Sequence, residues 1–278
     1  MNTFADLFKA AGLLVLLSIF PSCGPDLEHY FSGVDAAAFV LYDARNDEFI
    51  RYNEQRCRER FTPASTFKIP HSIIALETSV LEDENTVIEW DSVRVPRQEW
   101  WNREPFLHWT RSHTLATAIK YSVVWYYQET ARRIGVRNMK SYLEKMAYGN
   151  EDISGGIDRF WLGSTLKISA DEQVEFLRKF YNNLLGVSER TTNIVKDILV
   201  LEKTGSYTLS GKTGLSSREN GRFLGWFVGY VERDDGVFFF ALNMEDRDLD
   251  LISGTRIPVA RAILTDLGIL PGTVETGR

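Results

Sequence analysis

Ser65 and Lys68 stand three residues apart in "TPASTFKIPHSIIALE". If a helix begins here, positions i and i+3 share a face one turn apart. A lysine so placed can take the proton of a serine hydroxyl and make it a nucleophile. Pro70 falls in the first turn of that helix, where proline is tolerated. Phe67, Ile69, Ile73, Ile74 and Leu76 would bury the helix and dry its start. Ser164 and Lys167 in "GSTLKISADEQ" repeat the spacing. There the pair Ser169 and Glu172 forms a capping box and starts a helix at Ser169. Ser164 to Lys167 should then be extended, with the two side chains on opposite faces. That pair is rejected as chemistry.

Nucleophilic attack on an amide also needs a proton for the leaving nitrogen. Ser122, in the apolar and helix-leaning "KYSVVWYYQ", is a candidate to relay it from a second lysine. The tripeptide Lys-Thr-Gly occurs twice. Lys203-Thr204-Gly205 closes the helical pattern "TTNIVKDILVLEK", so Gly205 reads as a helix stop and Lys203 as a lysine at a helix end. Lys212-Thr213-Gly214 follows the β-leaning "SYTLS" and precedes "FLGWFVGYVE", so it reads as a strand that can border a cleft. Gly214 would let a ligand come close to that strand's backbone.

The elements that must hold these groups follow from periodicity. "AAAFVLYDARNDEFIRYN" is a hairpin turning at Asn46-Asp47. "FLGWFVGYVE" and "VFFFALNM" form a second, more buried hairpin across Asp234-Asp235-Gly236. Helical period dominates from about residue 65 to 200, and "RIPVARAILTDLGIL" reads as a closing helix. The pattern predicts an α/β fold: strands from both ends in one antiparallel sheet flanked by helices, with an all-helical insertion at about 80–200. Residues 30–275 should form a single domain.

Bulk numbers narrow the class. With 278 residues, 44% hydrophobic and 25% charged, the chain has ample core. A net charge of −6 and the lack of a basic run argue against nucleic acid as the partner. The apolar run "AAGLLVLLSIF" suits an export signal over residues 1–23. Cys23 directly after it leaves both plain cleavage and a lipid anchor open, and hence either a periplasmic or a membrane-tethered protein. Cys57 is the other cysteine, so no disulfide framework is expected in the processed chain. His29, His71, His108 and His113 lack metal-ligand spacing and read as surface or loop histidines. Trp100, Trp101 and Trp109 cluster in "EWWNREPFLHW" and are assigned to packing rather than a lid.

Ser65-x-x-Lys68, Ser122-x-Val124 and Lys212-Thr213-Gly214, in this order, resemble the motif set of serine β-lactamases and penicillin-binding proteins. The middle motif, Ser-Val-Val, resembles that of the class D β-lactamases. "PASTFKIP", Tyr148-Gly149-Asn150, "ISGGIDRFW" ending in Trp161, and Arg256 resemble the same family, from about residue 35 to 270. The resemblance implies a serine β-lactamase/D,D-peptidase-like fold and hydrolysis of β-lactams without a metal. It implies Ser65 as the acylated nucleophile and Lys68 carboxylated by carbon dioxide as the general base. Phe67, Val124 and Trp161 would dry the carbamate pocket, and Trp161 would also hydrogen-bond the carbamate. Ser122, tuned by Lys212, would protonate the lactam nitrogen. Backbone N–H groups of Ser65 and Leu215 would form the oxyanion hole, while Thr213, Gly214 and Arg256 would bind substrate. Tyr148-Gly149-Asn150 is expected to shape the cleft wall. Penicillin-sensing domains and D,D-transpeptidases or carboxypeptidases of the same fold are the rivals. Sensors tend to carry asparagine at the place of Val124, although Trp125 and Tyr126 resemble them.

Overall fold

The computed structural model describes residues 25–163 and 165–272. The expectations for the export segment, Cys23 and Ser164 fall outside those residues. Six antiparallel strands form one sheet in the order β2-β1-β6-β5-β4-β3. β1 (Ala36–Asp43) and β2 (Glu48–Tyr52) are the first hairpin, with Asp47 in its turn at φ 53°. β5 (Phe223–Arg233) and β6 (Gly236–Asp246) are the second, closed where Arg233 pairs with Gly236. β6 then pairs with β1 from Ala36↔Glu245 to Asp43↔Phe238, which unites the two chain ends in one sheet as expected.

Both faces of this sheet are covered, so Leu224 to Val231 on β5 are buried without a break. One face carries Trp226, Val228 and Tyr230 into the core shared with α2 (Lys68–Glu77), α4 (Val124–Met146) and α5 (Ala170–Tyr181). The other turns Phe227 and Val231 against Ile252, Ala260, Ile263 and Leu264 of α7 (Leu249–Asp266). Helices α1 (Glu54–Arg58), α3 (Leu115–Lys120) and α6 (Glu189–Ile198) complete the fold. α5 opens with the Ser169–Glu172 capping box read from the sequence, both reciprocal bonds being present.

Three boundaries differ from the sequence reading. The stretch from Thr78 to Thr114 contains no α-helix, only turns, an isolated antiparallel bridge between Ile88 and His113, and a 3-10 turn at Phe106–Trp109. Pro96 and Pro105 interrupt any helical ladder there. α7 begins at Leu249, capped by Asp248, which accepts from the N–H groups of Asp250 and Leu251. Arg256 is therefore well inside the helix rather than at its start. Finally, α6 stops at Ile198, and Val200–Lys203 form β3, paired with β4 (Thr208–Ser217). Lys203 is an exposed lysine on an edge strand, not at a helix end. Gly205 sits in the hairpin turn, where Thr204 N–H donates to Tyr207 O at 2.9 Å.

Candidate active site

Ser65 rides a 3-10 turn (Ala64–Phe67) that runs directly into α2. A 3-10 turn eclipses i and i+3, so the expected pairing survives the change of helix type. Lys68 Nζ lies 2.9 Å from Ser65 Oγ. Ala64, just before the serine, holds φ 48°, a left-handed conformation that a non-glycine residue adopts only where surrounding structure enforces it. The turn is tied down by Thr66, whose Oγ1 donates to Pro63 O at 2.8 Å and accepts from Gln173 Nε2 of α5 at 2.8 Å.

Lys68 is fully buried and forms no ion pair among the described residues. Its pKa is driven well below the ordinary lysine value, chiefly by desolvation and secondarily by the charge of Lys212. Burial thus favours the uncharged amine, next to a serine hydroxyl that remains half-exposed.

Ser122 is not inside a helix. It occupies the break between α3 and α4 at φ 56°. This break is fixed by Ser122 N–H to Ile119 O and Val123 N–H to Ala118 O. Trp109 Nε1 donates to Tyr121 O at 2.9 Å, which clamps the residue before the serine. Trp101 and Trp109 are buried, as the packing assignment expects, whereas Trp100 keeps 53% exposure. Lys212 Nζ, projecting from β4, donates to Ser122 Oγ at 3.1 Å. Its pKa falls to about 7, first through burial and then through the nearby Arg256 charge. The fold therefore brings two serine–lysine pairs together from residues far apart in sequence. Adjacent amines and hydroxyls of this kind can carry protons to and from a reacting amide.

Gly214 has a packing task that the sequence did not reveal. A Cβ there would meet Pro63 O at 2.8 Å and Thr66 Cγ2 at 3.2 Å. The protein's own Ser65 turn makes one close approach to this strand. Gly214→Ala should lower stability by about 1–3 kcal/mol, because backbone sits in the way; a thermal melt unchanged within a degree would contradict this packing. Leu215 follows on β4, half-buried and opposite Gly225, and Thr213 pairs opposite Phe227.

Aromatic rings wall the space behind Lys68. Phe67 packs on Trp161 at 5.6 Å, Phe160 at 5.1 Å and Tyr148 at 5.7 Å between centroids. Trp161 is fully buried and its Nε1–H has no acceptor among the described residues. Val124, at the start of α4, is partly buried against the same core. Tyr148-Gly149-Asn150 is a brace within the protein rather than a piece of cleft wall. Tyr148 is buried beneath Phe67, and Asn150 donates from Nδ2 to Thr165 O and accepts from Lys167 N–H. Gly149, at φ 59°, leaves no room for a Cβ against Lys167 O.

Arg256 is half-buried and forms no ion pair among the described residues. Burial lowers its pKa to about 10, and its Nε has no partner. An unpaired guanidinium beside Lys212 is a ready seat for an anionic group.

Two histidines depart from the surface reading: His71 and His113 are buried. His71 on α2 follows Phe67 by four residues, a spacing from which its burial could have been read. Among the described residues no cluster of His, Cys, Asp or Glu is suited to hold a metal. Cys57 is buried, and desolvation pushes its thiol up to about 12, which disfavours the thiolate.

Comparison with known proteins agrees with this geometry. The family described as penicillin binding protein transpeptidase domain matches residues 37–266. The chain is 43% identical to β-lactamase OXA-48 of Klebsiella pneumoniae, over 88% of this chain and 86% of that one. It is 33% identical to the regulatory protein BlaR1 of Bacillus licheniformis, over 90% of this chain but only 41% of BlaR1. The crystal structure of the class D β-lactamase YbXI from Nostoc superimposes with a TM-score of 0.81 at 37% identity, covering 88% of this chain and 99% of that one. The chain belongs to the class D β-lactamases, hydrolases built on the transpeptidase fold of the penicillin-binding proteins.

Proposed function

We propose that this enzyme opens β-lactams through an acyl-enzyme on Ser65, with Lys68 carboxylated on Nζ as the general base. The observation that carries the reading is the 2.9 Å contact between Ser65 Oγ and a fully buried Lys68 amine whose pKa desolvation lowers. Carbon dioxide reacts with neutral amines, whereas an exposed lysine, with a pKa of about 10.4, is almost wholly protonated at neutral pH. The residues present fit the added group: Trp161 Nε1–H is a buried donor without an acceptor, which a carbamate oxygen would satisfy. When bound, the group supplies an anionic base that a bare lysine lacks.

Ser65 Oγ attacks the lactam carbonyl and gives its proton to the base at Lys68. Backbone N–H groups of Ser65 and Leu215 bind the oxyanion; donors of this kind typically lower the barrier by about 3 kcal/mol each. As the C–N bond breaks, Ser122 passes its proton to the lactam nitrogen, supported by Lys212 3.1 Å away, and regains one from the protonated base at Lys68, which frees that base for the second half of the cycle. Water then attacks the ester carbonyl, losing a proton to the base, and the alkoxide of Ser65 leaves and is reprotonated. Arg256 and Thr213 hold the substrate carboxylate. Export directed by the first 23 residues would place the enzyme in the periplasm, where such hydrolysis would confer resistance.

The penicillin-sensing rival shares the nucleophile but stops at the acyl-enzyme. A penicillin in large molar excess separates the two. We expect complete consumption over many turnovers; a single stoichiometric burst, with a stable adduct on Ser65 by mass spectrometry, would favour the sensor.

A further inference from the structure

His71 is used by none of these steps, yet it lies fully buried one turn beyond Lys68 on α2. Its ring meets Trp161 edge-on at 5.3 Å between centroids, Tyr127 at 5.0 Å and Phe67 at 5.6 Å. Tyr127 is itself beneath Lys68, with Nζ 5.1 Å from the ring centroid. The imidazole thus touches three of the rings around the base. Desolvation is the main cause that pulls its pKa down to about 3.

A single polar contact fixes that ring. His71 Nε2 lies 3.0 Å from Thr130 Oγ1, which is also 3.0 Å from Tyr127 O. A threonine hydroxyl has one proton. With that proton directed to Tyr127 O, the hydroxyl accepts from His71 Nε2–H, and Nδ1 is left as an unpartnered lone pair. Without the Thr130 hydroxyl, Nε2–H would be a buried orphan donor. The ring would then turn or admit water to regain a partner. Either response alters the face on which Trp161 rests and wets the dry space that lowers the Lys68 pKa.

We infer that His71, anchored by Thr130, is a positioning residue that holds Trp161 in place and so sets how much bicarbonate the enzyme needs to keep Lys68 carboxylated. The inference rests on the carboxylation reading above. Thr130 is on α4 and touches neither Ser65 nor Lys68 by hydrogen bond, so it can be altered without entering the reaction.

The test is the bicarbonate concentration giving half-maximal penicillin turnover in carbon dioxide-stripped enzyme, with the carbamate followed by carbon-13 NMR in labelled bicarbonate. Thr130→Val, nearly isosteric, should raise that concentration roughly tenfold, the effect of orphaning one buried donor. At saturating bicarbonate its kcat should return to that of the wild type. Thr130→Ser keeps the hydroxyl and should stay within about twofold of the wild type. An unchanged requirement in Thr130→Val, a turnover defect that bicarbonate does not repair, or a Thr130→Ser enzyme as impaired as Thr130→Val would each overturn the inference. A wild type with activity but no carbamate signal would instead sink the carboxylation reading, and the inference with it.

Discussion

Lys68→Ala is expected to cut penicillin turnover by about 10³–10⁴-fold, the upper range for loss of a general base. The effect is large because Lys68 is proposed to serve both halves of the cycle, taking the proton of Ser65 and later that of water. No other described group stands in for it: its Nζ is the side-chain atom hydrogen-bonded to Ser65 Oγ, and the surrounding side chains are rings. Neutral His71 is turned to Thr130, and Lys212 is engaged with Ser122. Removing a buried lysine also empties space, so the variant's melting temperature should be measured alongside its kinetics. A folded Lys68→Ala enzyme within tenfold of wild-type turnover would remove Lys68 from the mechanism.

The second large effect separates the two copies of Lys-Thr-Gly. Lys212→Ala should lower kcat/KM by about 10²-fold or more, the lower range for losing an acid–base partner. It deprives Ser122 of its donor at 3.1 Å and takes a cation from beside Arg256. Lys203→Ala should change kcat/KM by less than about twofold, since an exposed side chain on an edge strand contributes little. Steady-state kinetics of both variants with one penicillin settle the matter, and a reversed order would assign the chemistry to the wrong copy.

What the sequence made legible was what local chemistry decides. The Ser65–Lys68 face survived because i and i+3 stay together in a 3-10 turn as in an α-helix. The Ser169 capping box and both hairpins are specified within a few residues of themselves. Reading failed where a distant partner decides. Val200 and Leu201 continue the apolar pattern of α6, and only pairing with β4 makes them a strand. Ser122 lies in a sequence with helical preference, but its backbone is bent to φ 56° between α3 and α4, with Trp109 clamping its neighbour. Gly214 serves a packing contact with Pro63 that no spacing rule could reveal. The burial of His71 could have been read from its place on the apolar face of α2, whereas its hydrogen bond to Thr130 depends on how α2 and α4 meet. Among the site residues, the pairing of Lys212 with Ser122 joins positions 90 residues apart, and order along the chain could only suggest it.

Bicarbonate titration of enzyme stripped of carbon dioxide tests the central claim most directly. Penicillin hydrolysis should start low, rise saturably with added bicarbonate in the wild type, and stay absent at every concentration in Ser65→Ala. Hydrolysis that is equally fast with and without bicarbonate, or that survives Ser65→Ala, would contradict the account.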